Sequence, residues 1–240
     1  MNQDKIWDYF QTEGANVVFQ SETRLNYLFK KALKIVGNTK PTVLNIGVGN
    51  GWLEKRCLEQ GWKVYALDPS KESIKNLETL GIIGEVGYIE KSSYGDNFFD
   101  LVFCSEVIEH LSNEQINLGL LEIERILKKG GVLIGTVPYK ENLIDNQVVC
   151  PKCGEVFHKW GHQQSFDVKS LVKIFKNNFT VEEVSIIYLI NWKMLNWKGV
   201  LSSLFKKGLT MLGIHGSNES LFFIVRNSPD YPDEKLASDK

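Results

Sequence analysis

The chain has 240 residues, 43% of them apolar and 24% charged, with a formal net charge of −1. That length fits one α/β domain with modest additions and is ample for a buried core. The near-neutral balance gives no bulk attraction to nucleic acid or to an anionic membrane, although it leaves room for a local basic patch.

No apolar run approaches the roughly 20 residues that span a bilayer. The opening Met1-Asn-Gln-Asp-Lys-Ile6 lacks an apolar core, so no secretory leader is expected. A reducing cytoplasm is the expected compartment. Of the four cysteines, Cys57 and Cys104 fall in helix and buried-strand patterns, where they read as small apolar fillers.

In chain order, residues 1–40 carry helical spacing, with Leu25, Leu28, Phe29, Leu33 and Val36 on one face and Gly37-Asn38 as a stop. A strand over 42–46, a glycine turn over 47–51 and a helix over 52–60 follow. A second strand over 63–67 ends in the turn Asp68-Pro69-Ser70, and Ser70 caps a helix reaching Leu80. A short strand is expected over 83–89 and an apolar strand over 99–104. The spacing predicts an amphipathic helix over 113–129, ended by Gly130-Gly131, and a fifth strand over 132–137. Short apolar strands alternating with helices imply βαβ units and a doubly wound, mostly parallel sheet with helices on both faces. A helix at 167–177 and strands at 180–190 and 220–225 complete a seven-stranded expectation. The tail 228–240, rich in Pro, Asp, Glu and Lys, reads as frayed.

The loop Gly47-x-Gly49-x-Gly51 lies between a strand and a helix. There the absence of side chains lets the backbone approach a ligand closely. In open α/β sheets, ligands bind at the carboxyl ends of strands near the topological switch point. Asp68 ends the second strand, 21 residues after Gly47, where a carboxylate can accept hydrogen bonds from ribose hydroxyls. A dinucleotide fingerprint needs a third glycine at position 52. Trp52 stands there and argues against a pyrophosphate, so a phosphate-free adenosine ligand is the better match.

On these residues the chain resembles the class I S-adenosylmethionine-dependent methyltransferases, especially the group with quinone and small-molecule acceptors. Val43-Leu-Asn-Ile-Gly-Val-Gly-Asn-Gly51 is similar to the first family motif and Leu67-Asp-Pro-Ser70 to the second. Asn97-Phe-Phe-Asp-Leu-Val-Phe-Cys-Ser-Glu-Val-Ile-Glu-His-Leu111 resembles the fourth-strand segment, and Leu127-Lys-Lys-Gly-Gly-Val-Leu-Ile134 the approach to the fifth. The resemblance covers 40–140 well and 160–190 loosely. It implies a Rossmann-like methyltransferase domain over 41–227, with S-adenosylmethionine bound by Asn45, Gly47, Gly49, Gly51, Asp68, Pro69, Tyr88, Ile89, Ser105 and Glu106. The family commonly carries an acid where Asn45 stands, so a weaker negative field at the cofactor is expected.

Methyl transfer needs alignment of acceptor, carbon and sulfur, and a base if the acceptor is a hydroxyl. Glu109, His110, His158 and His162 are the candidates, with His110 and Glu109 closest to the fourth strand in sequence. Within 148–163, Cys150, Cys153, His158 and His162 form C-x2-C-x4-H-x3-H, a spacing that can hold a structural zinc. The same four residues also read as ordinary thiols and a family histidine, because short Cys/His patterns transfer poorly between folds.

The insert 191–215 places Trp197, Leu201, Leu204, Phe205 and Leu212 at helical spacing, among Lys193, Lys198, Lys206 and Lys207. It reads either as a lid or membrane-surface helix, or as a helix packed on its own domain or a partner subunit. Gly199 and Gly208 favour two short helices or a flexible lid over one helix. The expected function is methyl transfer to a small molecule or a glycan- or lipid-linked metabolite, preferably at oxygen. Nucleic acid is not expected as a partner. The alternative is a cofactor-binding or zinc-stabilised interaction protein without turnover.

Overall fold

A computed structural model describes residues 22–190, 195–215 and 219–227, together with Ile6. The rest of the helical reading before residue 22 and the tail 228–240 lie outside the described residues.

Helix α1 (Glu22–Val36) leads into β1 (Thr42–Ile46), α2 (Trp52–Glu59), β2 (Lys63–Asp68), α3 (Lys71–Glu78) and β3 (Ile83–Val86). Next come β4 (Phe99–Ser105), a 3-10 turn (Ile108–His110), α4 (Asn113–Ile126) and β5 (Leu127–Pro138). The hairpin β6 (Gln147–Val149) and β7 (Val156–His158) follows, then α5 (Val168–Phe175), β8 (Thr180–Ile187), α6 (Trp197–Met211) and β9 (Ser220–Arg226). The large sheet has the order β3-β2-β1-β4-β5-β9-β8. Strands β1 to β5 pair in parallel, and β9 pairs antiparallel with both β5 and β8.

The central strands are apolar on both faces, as a sheet covered by helices on both sides requires. Leu44, Ile46, Val102, Cys104 and Leu133 pack with α4 and α5 through Ile116, Leu120, Ile123, Leu171 and Phe175. Val43, Val64, Ala66, Leu101, Phe103 and Ile134 pack with α1, α2 and α3 through Leu28, Phe29, Leu53, Ile74 and Leu77. Because β1 lies between β2 and β4, the chain winds outward to β3 and then crosses back. This opens a crevice at the carboxyl ends of β1 and β4.

Four local expectations are corrected. Helix α4 stops at Ile126, not Lys129, because Leu127 already pairs with Phe99 and begins β5. Gly130 and Gly131 form a kink inside that strand, with a register shift between Phe99 and Leu101, rather than a helix stop. The third strand ends at Val86, leaving 87–90 as loop. The insert forms one 15-residue helix, α6, through both glycines. Its side-chain cap, Asn196 Oδ1 accepting from Gly199 N–H at 2.9 Å, offsets part of their cost.

Candidate active site

A cavity of about 540 Å³ lies at the carboxyl edge of the sheet, within the size range of small-molecule sites. Its floor is the β1 loop (Gly47, Val48, Gly49 and Asn50) with Asn45 and Ile46 behind it. Asp68 and Pro69 close one side. Gly87, Tyr88, Ile89 and Glu90 form the next wall, and Ser105, Glu106, Val107, His110 and Leu111 the opposite one. Thus nearly all of the residues assigned to the cofactor converge.

Gly51 is the exception. It does not line the cavity; it starts α2 at φ +74°, and a Cβ there would lie 2.6 Å from the Leu77 side chain. Its role is packing of α2 against α3. Gly47 (φ +77°) faces Val107 in the same way, with a Cβ 2.6 Å from that side chain, and so brings the β1 loop against the turn after β4.

Asp68 is buried and fastens two segments together. Its Oδ2 accepts from Val48 N–H at 2.9 Å and its Oδ1 from Ser70 N–H at 2.8 Å. A carboxylate offers about four acceptor positions, so these bonds are compatible with further ones from a diol. Ser70 caps α3 by accepting from Ser73 N–H.

Behind the β1 loop, Asn45 donates its Nδ2–H to Oε1 of the buried Glu54. The acid missing at position 45 is therefore present one layer back. Burial pushes the Glu54 carboxyl up to about 7, opposed by the Asn45 bond.

Arg24 enters from α1. Its Nε–H donates to Ser105 Oγ at 3.2 Å, and its guanidinium stands 3.8 Å from Glu106 Oε2. Among the described residues it is the one Arg or Lys in the lining, and sequence reading missed it. Glu106 holds φ at +58°, an uncommon conformation for a side chain other than glycine. Backbone strain of this kind concentrates at sites where geometry matters more than comfort.

Beyond Glu106 lies a cluster of acids and imidazoles. Glu109 is fully buried, outside the cavity lining, and neither carboxyl oxygen has a hydrogen-bond partner among the described residues. Burial and the nearby Glu106 hold its carboxyl well above the usual range. His110 lines the cavity, its ring hydrogen-bonded to the Gly161 backbone, and burial pushes it down to about 3. His162 also lines the cavity. It meets His110 edge-on at 4.6 Å, stacks on His158 at 4.7 Å and hydrogen-bonds Glu141.

Two sets of three therefore converge, Glu109 with His110 and His162, and Glu141 with His158 and His162. Within each, the potential ligand atoms lie within 4.8 Å of one another. An unbonded buried carboxyl is costly unless a proton or a cation compensates it, so the residues present fit a divalent ion. The C-x2-C-x4-H-x3-H set does not converge. Cys150 and Cys153 flank the tip of the β6–β7 hairpin, while His158 stands at its far end opposite Gln147. The cysteines belong to none of the metal-capable groups among the described residues.

Residues 44–135 match a family model described as "Methyltransferase domain". A ubiquinone biosynthesis O-methyltransferase from Rickettsia typhi is 30% identical over 125 residues, 48% of this chain and 48% of that protein. An uncharacterized methyltransferase from Geobacillus is 26% identical over 187 residues, 74% of this chain and 84% of that protein. The chain spans about half the length of the first of these. Among solved structures, the 1,6-didemethyltoxoflavin-N1-methyltransferase of Burkholderia thailandensis, with S-adenosylhomocysteine bound, superposes with TM-score 0.66 at 15% identity. That match covers 94% of this chain and 87% of the other. A S-adenosylmethionine-dependent methyltransferase from Methanosarcina mazei gives TM-score 0.60 at 15% identity, over 83% of this chain and 98% of that one. At such identities the likeness is one of fold.

Proposed function

We propose, from the premise that this chain belongs to the class I S-adenosylmethionine-dependent methyltransferase family, that it methylates a hydroxyl of a small molecule, free or carried on a glycan or lipid. The observation that carries this reading is one cavity in which the glycine loop and Asp68 meet the acid–imidazole cluster around His110. The first half suits an adenosine cofactor. The second suits an acceptor that must lose a proton. Oxygen is favoured as the acceptor atom by the resemblance to the ubiquinone biosynthesis O-methyltransferase.

S-adenosylmethionine supplies an electrophilic methyl on a sulfonium, so an O–C bond forms as the S–C bond breaks. The protein's work is to orient and to handle charge. Asp68 would accept the ribose hydroxyls, with Pro69, Tyr88 and Ile89 flanking the adenine. The Gly47–Gly49 loop would hold the methionine part. Arg24 would meet the carboxylate there, and Asn45, held by Glu54, would offer its carbonyl oxygen to the amino group. Ser105 and Glu106 would line the reacting end.

Glu109, His110 and His162 would hold a divalent cation whose positive charge lowers the pKa of an acceptor hydroxyl. One carboxylate and two imidazoles suit Zn, Mn or Fe better than Mg. The expected compartment is the cytoplasm.

The test has two parts. Calorimetry should show binding of S-adenosylmethionine and none of NAD. Incubation with labelled methyl donor and small phenolic, quinol and sugar hydroxyl acceptors should give alkali-stable labelled product. Cofactor binding without transfer to any acceptor or cell extract would favour the non-catalytic alternative. If transfer survives exhaustive chelation unchanged, the cation is ruled out and the cluster acts on the proton unaided.

A further inference from the structure

Helix α6 turns its apolar face away from the protein. Trp197 and Phe205 are 68% and 69% exposed, and Leu201 and Leu204 are half or more exposed. At about 100° per residue these four share an arc of about 100°. Ser203 lies on the opposite face and is buried against the domain. So the helix is docked through its small polar side and presents its large apolar side to the surroundings. The expectation that this stripe packs on its own domain is overturned.

Charge narrows what can cover that face. Lys198 borders the arc beside Phe205, Lys207 borders it beyond Leu204, and Lys206 adds a third cation on the helix. From 191 to 215 the sequence has four lysines and no Asp or Glu. A second copy of this chain would bring lysines to lysines with no acid on the helix to pair them, and interface cores are depleted in lysine. An anionic bilayer surface meets both properties at once. Leu, Phe and Trp enter the headgroup boundary while lysines at the border reach the lipid phosphates.

The place of the helix agrees. His215, just past α6, packs edge-on against Tyr139 at 5.4 Å. Thr210 Oγ1–H donates to Glu219 Oε1 at 2.6 Å. Tyr139 follows the carboxyl end of β5, and Glu141, two residues later, bonds His162 in the cavity wall. The carboxyl end of α6 is thus tied to the end of the sheet that carries the cavity. No helix among the described residues is long and apolar enough to cross a membrane, so the contact is with the surface.

We propose that α6 is an amphipathic anchor that seats this protein on anionic lipid, with the cavity rim next to the bilayer. The inference does not depend on the methyl-transfer reading, because it concerns binding to lipid alone. The test is co-sedimentation of the full chain with vesicles of phosphatidylcholine, with and without one-third phosphatidylglycerol, in the absence of methyl donor. Wild type should pellet with the anionic vesicles, at least tenfold more strongly than with the neutral ones, and less so at high salt. Phe205→Glu should abolish pelleting, and the triple variant Lys198→Gln, Lys206→Gln, Lys207→Gln should remove its salt dependence. Both should keep wild-type circular dichroism. No pelleting of wild type, or equal pelleting of Phe205→Glu, overturns the proposal. So does a wild-type dimer that Phe205→Glu converts to monomer without any lipid binding, which would assign the face to a second copy.

Discussion

Asn45 and Glu54 form a buried pair in which the amide nitrogen of one lies 2.7 Å from the carboxyl oxygen of the other. The other carboxyl oxygen of Glu54 has no hydrogen-bond partner among the described residues. This carboxyl titrates at about 7, against an ordinary 4.5. Between these values the folded protein binds more protons than the unfolded chain, so its stability falls as pH rises through that window and stays low above it. A shift of that size corresponds to on the order of 3 kcal/mol. Glu54→Gln should remove this carboxyl's share of the dependence, leaving that of the buried Glu109. The urea midpoint should fall less between pH 5 and pH 8 in the variant than in wild type; an equal fall in both would refute it.

The same pair predicts an exchange of roles. Asn45→Asp alone sets two carboxyls in contact in a dry pocket and should cost about 2 kcal/mol at pH 8. Adding Glu54→Gln should recover most of it, because an Asp–Gln pair restores one donor facing one acceptor. Thermal melts of the single and double variants check this; additive losses would show that the two positions do not communicate.

Asp68→Ala should weaken S-adenosylmethionine binding by roughly 30-fold or more, about 2 kcal/mol. Two losses contribute: the acceptor for the ribose, and the bonds to Val48 and Ser70 that hold the loop and the turn in place. Calorimetry measures it. An affinity within twofold of wild type would remove Asp68 from the binding site.

Gly51→Ala separates packing from binding. The left-handed φ and the Leu77 side chain 2.6 Å from the added carbon should together cost about 2 kcal/mol of stability. Below the melting temperature, cofactor affinity should change little, since Gly51 does not line the cavity. A large affinity loss with unchanged melting would invert that assignment.

Metal content distinguishes the hairpin tip from the cavity wall. His162→Ala should abolish any stoichiometric divalent metal, whereas Cys150→Ser with Cys153→Ser should leave it intact. Elemental analysis of protein purified without chelator decides. Loss in the cysteine variant alone would restore the compact cysteine–histidine site.

How much of this could be read from the sequence follows the distance over which each feature is set. The glycine loop, Asp68 and the alternating apolar strands are local patterns, and the sheet assembles them as expected. Gly130-Gly131 misled because a glycine pair ends a helix or kinks a strand with the same residues, and only the pairing of Leu127 with Phe99 decides. Arg24 escaped notice because it meets Ser105 across 81 positions. Glu54 escaped because a carboxylate in the first turn of a helix is ordinary until it is buried. Sequence proximity joined His158 and His162 to the cysteines, whereas the fold groups them with Glu141, Glu109 and His110.

The reversed strand β9 also decides which way the molecule faces when it is held. It starts beside Pro138 at the cavity end of the sheet and finishes at Arg226, opposite Val132. Seven residues of strand cover about 24 Å. A fluorophore or sensor chip coupled just past Asn227 would therefore grip the protein at the opposite end of the sheet from the cavity, leaving the cavity end toward the analyte.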